Sequence, residues 1–325
     1  MNFTLTILGS ASALPFSDRN PSAQALSVHG RLFLLDCGEG TQQRIRQEHL
    51  SFVKIEAVFI SHIHGDHCFG LFGLLSTMSL YHRVAPLHIF GPQNLGPIIK
   101  FYLSYFGQDL GYEIVFHPIT AKSPVVIVGI PSEDHATLGN VRGGTMSEAN
   151  GGVERSETSE GGIPAMTTKN VTVTAFPLNH KMDCYGYRFD EIVTPRRNPW
   201  KPRSYAYVSD TAPFPELASY VKDVDLLYHE ATYPAGMEDK AQQYYHSTSL
   251  QAARCARDAG ARQLIIGHYS SRIKDISSLA EECREIFPES FTVNDGDIFE
   301  IPYIREYEKM SSDSTGVDGC ADGSI

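Results

Sequence analysis

The sequence lacks any apolar run approaching the roughly 20 residues that a membrane-spanning helix needs. No membrane association is expected. Its start, Met1-Asn2-Phe3-Thr4-Leu5, lacks a basic leader and a cleavage pattern, so no secretory signal is expected. Cysteine is sparse: the six residues at 37, 68, 184, 255, 283 and 320 show no paired spacing. That excludes a disulfide framework and points to free thiols in a reducing, cytoplasmic setting. Positive charge is short as well, with 27 Lys and Arg against 38 Asp and Glu and a net charge of −11. A broad basic surface for nucleic acid is excluded, although a local basic strip and a metal centre can still hold phosphates.

Against that background, Ser61-His62-Ile63-His64-Gly65-Asp66-His67 stands out. Three imidazoles and a carboxylate fall within six residues. The apolar run Ala57–Ile60 precedes them and a longer one, Cys68 to Leu80, follows, so the context reads as strand, loop, helix. His62 and His64, two apart on extended chain, project to one side. Gly65 lets the chain turn and aims Asp66 and His67 from the start of the helix. Imidazole nitrogen and carboxylate oxygen are what an open catalytic zinc site takes. Cys68 reads as a buried small residue, not a ligand.

Along the rest of the chain, alternating and β-branched segments read as strands: 4–8, a hairpin of 25–28 and 31–35 across His29-Gly30, then 87–90, 112–117, 125–130, 171–176, 185–189, 204–208, 224–228 and 263–266. Short strands at 291–293 and 298–300 close the chain. Helices are expected over 41–49, 67–81, from Gly91-Pro92 toward Phe106, from a cap at Ser247 to Ala259, and over 277–287. Asp36, at a strand end before a Gly-rich turn, supports either a neighbouring site or the turn itself. Residues 132–170 hold seven glycines, six acidic and three basic residues, and read as a solvated, disordered insertion. The polar, acidic stretch 308–325 reads as a disordered tail. One domain over 1–307 is the expected organisation.

His62, His180, Asp210, Glu230 and His268 each fall at or just past the C-terminal end of an expected strand. Strand ends along one edge converge, which assembles distant residues on rigid elements. The architecture expected is an α/β fold of two mixed sheets packed face to face with helices outside, an αββα four-layer sandwich. His62, His64, Asp66, His67, His180, Asp210 and His268 are seven candidate ligands, too many for one tetrahedral zinc. Two metals sharing one carboxylate fit the count. Such a pair clamps a phosphoryl centre and ionises a bridging water as nucleophile.

The chain resembles the ribonuclease Z family, tRNA 3′-end endonucleases of the metallo-β-lactamase fold. The resemblance covers nearly all of the chain expected to be ordered. It rests on Leu8-Gly9-Ser10-Ala11-Ser12-Ala13-Leu14-Pro15, Asp36-Cys37-Gly38-Glu39-Gly40-Thr41-Gln42, the 61–67 run, Asn179-His180 with Gly186-Tyr187-Arg188, Ser209-Asp210-Thr211, His229-Glu230-Ala231-Thr232, His246-Ser247-Thr248 and Gly267-His268-Tyr269-Ser270-Ser271-Arg272. The 61–67 run marks only the superfamily; the 36–42, 229–232 and 246–248 stretches are specific to the tRNA-processing branch. The resemblance implies that His62, His64 and His180 hold one zinc and Asp66, His67 and His268 another, with Asp210 bridging; manganese or iron stays open. It implies Asp66 as proton acceptor, His246 as proton donor to the departing 3′ oxygen and Glu230 as its orienting partner. A cap beside Ser247 is the other role open to His246. His29, His49, His82, His88, His117, His135 and His229 are left structural.

Precursor tRNA is the substrate implied, and a homodimer the assembly, with Leu71, Phe72, Leu75 and Met78 forming either interface or core. Many bacterial relatives carry a protruding arm between the Gly-Tyr-Arg strand and the Ser-Asp-Thr loop. Here only 190–203 intervenes, carrying Arg196, Arg197, Trp200, Lys201 and Arg203, which serve either as a phosphate-backbone contact or as a solvated loop. That shortening keeps open a same-fold hydrolase of a small phosphodiester or other ester. A binding module without catalysis is disfavoured by the complete ligand set.

Overall fold

The structure is a computed structural model. It describes residues 2–14, 18–129, 166–193 and 200–304. Most of the 132–170 insertion, the 308–325 tail, His135, Arg196 and Arg197 lie outside the described residues. Six strands open the chain: β1 (Phe3–Gly9), β2 (Ala23–Val28), β3 (Arg31–Leu35), β4 (Ile55–Phe59), β5 (Leu87–Pro92) and β6 (Ile114–Ile119). Eight form a second series: β7 (Val125–Gly129), β8 (Met166–Thr167), β9 (Val171–Pro177), β10 (Tyr185–Glu191), β11 (Ser204–Val208), β12 (Leu226–Glu230), β13 (Leu264–Gly267) and β14 (Ser290–Thr292). β15 (Ile298–Glu300) returns to the first sheet, whose order is β15-β1-β2-β3-β4-β5-β6; the second runs β14-β13-β12-β11-β10-β9-β7-β8. β3 to β6 pair in parallel, as do β11 to β14.

The reasons lie in local sequence. At the β2–β3 hairpin His29 and Gly30 take φ of 50° and 83°, the two left-handed residues of a tight turn whose twist suits the strands. β9, Val-Thr-Val-Thr-Ala-Phe-Pro, alternates buried and half-buried along its first four residues. β3, β4 and β13 are buried almost continuously because both faces are covered. One apolar core lies between the sheets. Phe59 sits within it, 5.0 Å from the Phe90 ring, 5.2 Å from Tyr187 and 5.3 Å from Phe189. Truncating such a ring to alanine costs about 3–5 kcal/mol.

Helices α1 (Thr41–Gln47), α2 (Gly65–Cys68), α3 (Gly70–Leu80) and α4 (Leu95–Phe106) lie in the first half. α5 (Leu217–Tyr220), α6 (Glu238–Gln243), α7 (Ser249–Ala259) and α8 (Ser277–Arg284) lie in the second. Ile45, Leu71, Leu75, Met78 and Ile99 bury α1, α3 and α4 against the first sheet. Leu217, Ala252, Ala256 and Leu279 bury α5, α7 and α8 against the second. The result is the αββα sandwich expected. Leu71, Leu75 and Met78 are core, with Phe72 partly buried beside them.

Some boundaries differ. The helix expected over 67–81 is two, meeting at Phe69, because Gly70 packs so closely on the Gly38 carbonyl that a Cβ would stand 2.0 Å from its oxygen. Gly91 and Pro92 end β5 and do not open α4, which begins at Leu95. The cap of α7 is Thr248, which accepts a bond from the Gln251 backbone N–H while the Gln251 side chain answers to the Thr248 N–H. Ser247, the expected cap, instead gives its N–H to Glu230. The cysteines at 37, 68, 184, 255 and 283 are free thiols, as expected.

Of the histidines left structural, His88 and His117 stack at 5.2 Å and share a ring hydrogen bond of 2.9 Å. Burial pushes His117 down from 6.5 to about 3, with His88 adding to the effect. The unfolded chain takes up this proton near 6.5 and the folded one only near 3. Stability from His117 is therefore present above pH 6.5 and lost as pH falls toward 3. Thermal midpoints measured from pH 7 to pH 4 should fall less steeply for His117→Phe than for the wild type; parallel curves would contradict this assignment.

Candidate active site

The parallel register of β11, β12 and β13 aligns their C-terminal ends, with Val208 beside His229 and Glu230 beside Gly267. Asp210, Glu230 and His268 emerge there. β4 delivers Ser61 and His62 to the same edge, where Ser61 bonds across to the second sheet through its carbonyl and the Tyr185 N–H at 3.0 Å. β9 delivers His180. Residues spread from 62 to 268 thus share one edge of the two sheets.

The side chains converge in two groups. In the first, His62 Nε2 lies 2.9 Å from His64 Nδ1 and 3.6 Å from Asp210 Oδ2, and His180 Nε2 lies 3.4 Å from His64 Nδ1. In the second, Asp66 Oδ2 is 3.3 Å from both His67 Nε2 and His268 Nε2, which are 3.2 Å apart. Asp210 Oδ1 reaches the same two nitrogens at 3.5 and 3.3 Å. One carboxylate thus turns one oxygen to each group. Lone-pair atoms so arranged outline a coordination polyhedron, since bonds of about 2.0–2.1 Å to a tetrahedral ion give edges of about 3.3 Å. Asp210 Oδ1 is buried with no hydrogen-bond donor, which burial penalises unless a cation faces it. The donor set fits divalent metal.

Each ring is aimed by a bond on its other nitrogen. His67 Nδ1–H donates to Asp36 Oδ2 at 2.7 Å and His180 Nδ1–H to the Tyr245 carbonyl at 3.1 Å. His268 Nδ1 meets Thr232 Oγ1 at 2.8 Å, and His62 Nδ1 meets Ser61 Oγ at 3.0 Å. These four histidines consequently present Nε2 to the cluster. Asp36, Tyr245 and His268 hold positive φ of 56°, 59° and 62°, backbone strain concentrated around the site.

Charge follows the packing. Burial and its neighbouring rings push His62 well down. Burial alone would lower His67, but Asp66, Asp210 and Asp36 raise it well above its ordinary value. Burial would raise Asp210, yet His268 and His67 hold it well down.

His246 and Glu230 sit beside the second group. Glu230 is fully buried and accepts from the N–H groups of Thr211, Thr232 and Ser247 at 3.2, 2.9 and 2.8 Å, and from the Thr232 hydroxyl at 2.8 Å. Its Oε1 holds His246 Nδ1 at 3.1 Å. Burial would lower His246, but Glu230 and Asp210 raise it from 6.5 to about 9. A ring so held keeps its proton at neutral pH and offers Nε2 as donor. The capping role open to His246 belongs to Thr248.

All nine residues singled out in the sequence meet here. Asp36, left between two roles, faces the site. Thr232 was missed, although it stands two residues past Glu230 on the same strand end. The Tyr245 carbonyl and the Ser61 hydroxyl were missed too; no side-chain pattern signals a carbonyl's direction. His229 stays outside, buried, its Nδ1 on the Glu230 carbonyl. Of the basic link, Arg203 is buried, forked onto Glu191 at 2.7 and 2.9 Å and stacked 3.7 Å from the Tyr303 ring. It is therefore not a phosphate contact. Lys201 faces Asp225 at 3.5 Å.

The chain is similar to several known proteins. A family model described as anti-Pycsar protein Apyc1 matches residues 3–100. Ribonuclease Z of Bacteroides fragilis is 34% identical over 88% of this chain and 95% of its own. Ribonuclease Z of Porphyromonas gingivalis is 35% identical over 90% of this chain and 97% of its own. The crystal structure of human tRNase Z, short form, superposes with a TM-score of 0.66 at 26% identity, over 92% of this chain and 99% of that one.

If the cluster takes a divalent ion, zinc at a hundredfold excess over its dissociation constant should add about 2.7 kcal/mol per site to chelator-treated protein. Calorimetric scans should show the rise in the wild type and lose most of it in Asp210→Asn. An equal rise in both would discount the shared carboxylate.

Proposed function

The chain belongs to the ribonuclease Z family, and from that premise we propose that it is a metal-dependent endoribonuclease that removes the 3′ trailer from precursor tRNA. The observation that carries this reading is the division of Asp210 between two ligand groups. His62, His64 and His180 would hold one zinc and Asp66, His67 and His268 the other, with a carboxylate oxygen of Asp210 facing each group. The histidine-rich set suits zinc, manganese or iron, and zinc is the ion assigned. When bound, such a pair supplies Lewis acidity at the phosphodiester and lowers the pKa of the attacking water.

The chain's own groups complete the reaction. Asp66 accepts the proton of the attacking water. His246 gives a proton from Nε2 to the departing 3′ oxygen, while Glu230 keeps the ring oriented and charged. His246 is partly exposed and Glu230 is not, which puts the donor at the surface and its partner behind it. A single catalytic domain over 1–307 is part of the proposal.

A second reading, hydrolysis of a small phosphodiester, draws on one observation: only residues 192–203 join β10 to β11, too short for a protruding arm. Purified protein given a 3′-extended tRNA precursor and a chromogenic phosphodiester separates the two. The precursor should be cut at the trailer, and His246→Ala should slow that cleavage about 10²–10⁴-fold with metal content unchanged. Cleavage of the diester with the precursor left whole would favour the second reading and sink the first.

A homodimer is part of the proposal. Phe101, Tyr105 and Phe106 on α4 are each more than 60% exposed, with Leu80 of α3 also exposed. Residues of α3 and α4, Phe72, Leu80, Tyr102, Tyr105 and Phe106 among them, line a shared groove. An apolar patch of this kind suits a self-complementary contact. In sedimentation, Phe101→Asp with Tyr105→Ser should shift a dimer to monomer; an unchanged mass would place the interface elsewhere.

A further inference from the structure

The metal ligands are aimed by Asp36, and Asp36 is itself held from the opposite sheet. Its carboxylate is fully buried. Oδ1 accepts the Ser61 N–H at 2.7 Å. Oδ2 accepts the Ser61 hydroxyl at 2.8 Å, His67 Nδ1–H at 2.7 Å and the Tyr207 hydroxyl at 2.7 Å. Three of these donors come from the 61–67 segment of the first half. The fourth, Tyr207, stands on β11 of the second sheet and crosses the sandwich.

Tyr207 is placed to do this with little freedom. Its ring is fully buried and stacks on Tyr228 at 5.1 Å. Its hydroxyl is met by Ser22 Oγ at 3.0 Å, which can donate to it while it donates to Asp36. Three residues further on, the same chain segment carries Asp210. Ser209 Oγ also donates to Ser61 Oγ at 3.0 Å, and Ser61 Oγ faces His62 Nδ1. Ser22, Tyr207, Asp36 and Ser61 therefore form a buried chain that ends on a histidine of each ligand group, His67 and His62.

We propose that Tyr207 is a positioning residue for the metal centre, fixing Asp36, and through it His67, from across the two-sheet interface. The inference rests on the metal reading above. Loss of the hydroxyl leaves the Asp36 oxygen one donor short beside His67, and the carboxylate is free to rotate toward its remaining donors. Outer partners of metal-binding histidines are worth about 10–100-fold in metal affinity.

Tyr205 supplies an internal comparison. It lies on the same strand, is equally buried, and its hydroxyl also crosses the interface, to Gln24 Oε1, but touches nothing in the site. Tyr207→Phe and Tyr205→Phe are made in the full chain, stripped by chelator, and titrated with Zn²⁺ against a chromophoric competitor. Thermal midpoints of the stripped proteins are recorded alongside. Both variants should lose stability, but only Tyr207→Phe should weaken Zn²⁺ binding, by about tenfold at one of two sites. Equal Zn²⁺ affinity in the two variants would reduce Tyr207 to a packing residue and overturn the proposal. If Tyr207→Phe does not fold, replacing Tyr207 with 4-aminophenylalanine keeps the ring and leaves only a weaker donor toward Asp36. A smaller loss of affinity of the same sign then supports the proposal, and wild-type affinity overturns it. A wild-type chain that takes up no Zn²⁺ would overturn the metal reading, and this inference with it.

Discussion

Packing carboxylate and imidazole lone pairs face to face, out of water, is the constraint on which this molecule turns. Left alone, such a group of acceptors repels itself and pays for desolvation; a cation reverses both terms. The fold makes the arrangement possible by providing a rigid edge. Two parallel runs of strands, β3 to β6 and β11 to β14, end side by side, and the loops after β4, β9, β11 and β13 need to travel only a few residues to meet. An arrangement with the ligands on long loops would lose this geometry to chain entropy.

Rigidity at the edge is not enough, because an imidazole can still swivel. The structure removes that freedom with bonds on the remote nitrogens, and the acceptors come from three different kinds of group: a carboxylate at Asp36, hydroxyls at Ser61 and Thr232, and a carbonyl at Tyr245. Thr232 ties the metal cluster to the acid–base pair, since its one hydroxyl gives to Glu230 and faces His268. Ligand orientation and proton delivery are therefore parts of one hydrogen-bonded unit. Substitutions at Thr232 and Glu230 are expected to be non-additive for that reason.

Much of this was readable in the sequence. The 61–67 run announces itself because polar ligands interrupt two apolar segments, and strand-end positions located His180, Asp210, Glu230 and His268. The layered fold followed from alternating and β-branched segments. What could not be read was anything set by backbone direction or by contacts across the sandwich. The break at Phe69 depends on Gly70 meeting the Gly38 carbonyl, a contact between segments thirty residues apart. The cap of α7 went to Thr248 because the Ser247 hydroxyl is committed to the Thr211 carbonyl, a tertiary demand that overrides the local preference. Arg203 looked available for phosphate until Glu191 and the Tyr303 ring were seen to enclose it.

The position of the 192–203 link bears on how an acidic chain engages a polyanion. The link enters at the start of β11, whereas Asp210 follows its end. At about 3.3 Å per residue, that separates Arg203 from Asp210 by roughly 20 Å along the strand. Arg203 and Asp210 therefore stand at opposite ends of one strand. Locking Arg203 onto Glu191 serves the same separation: it anchors the N-terminal end of β11 and leaves the C-terminal end to hold Asp210.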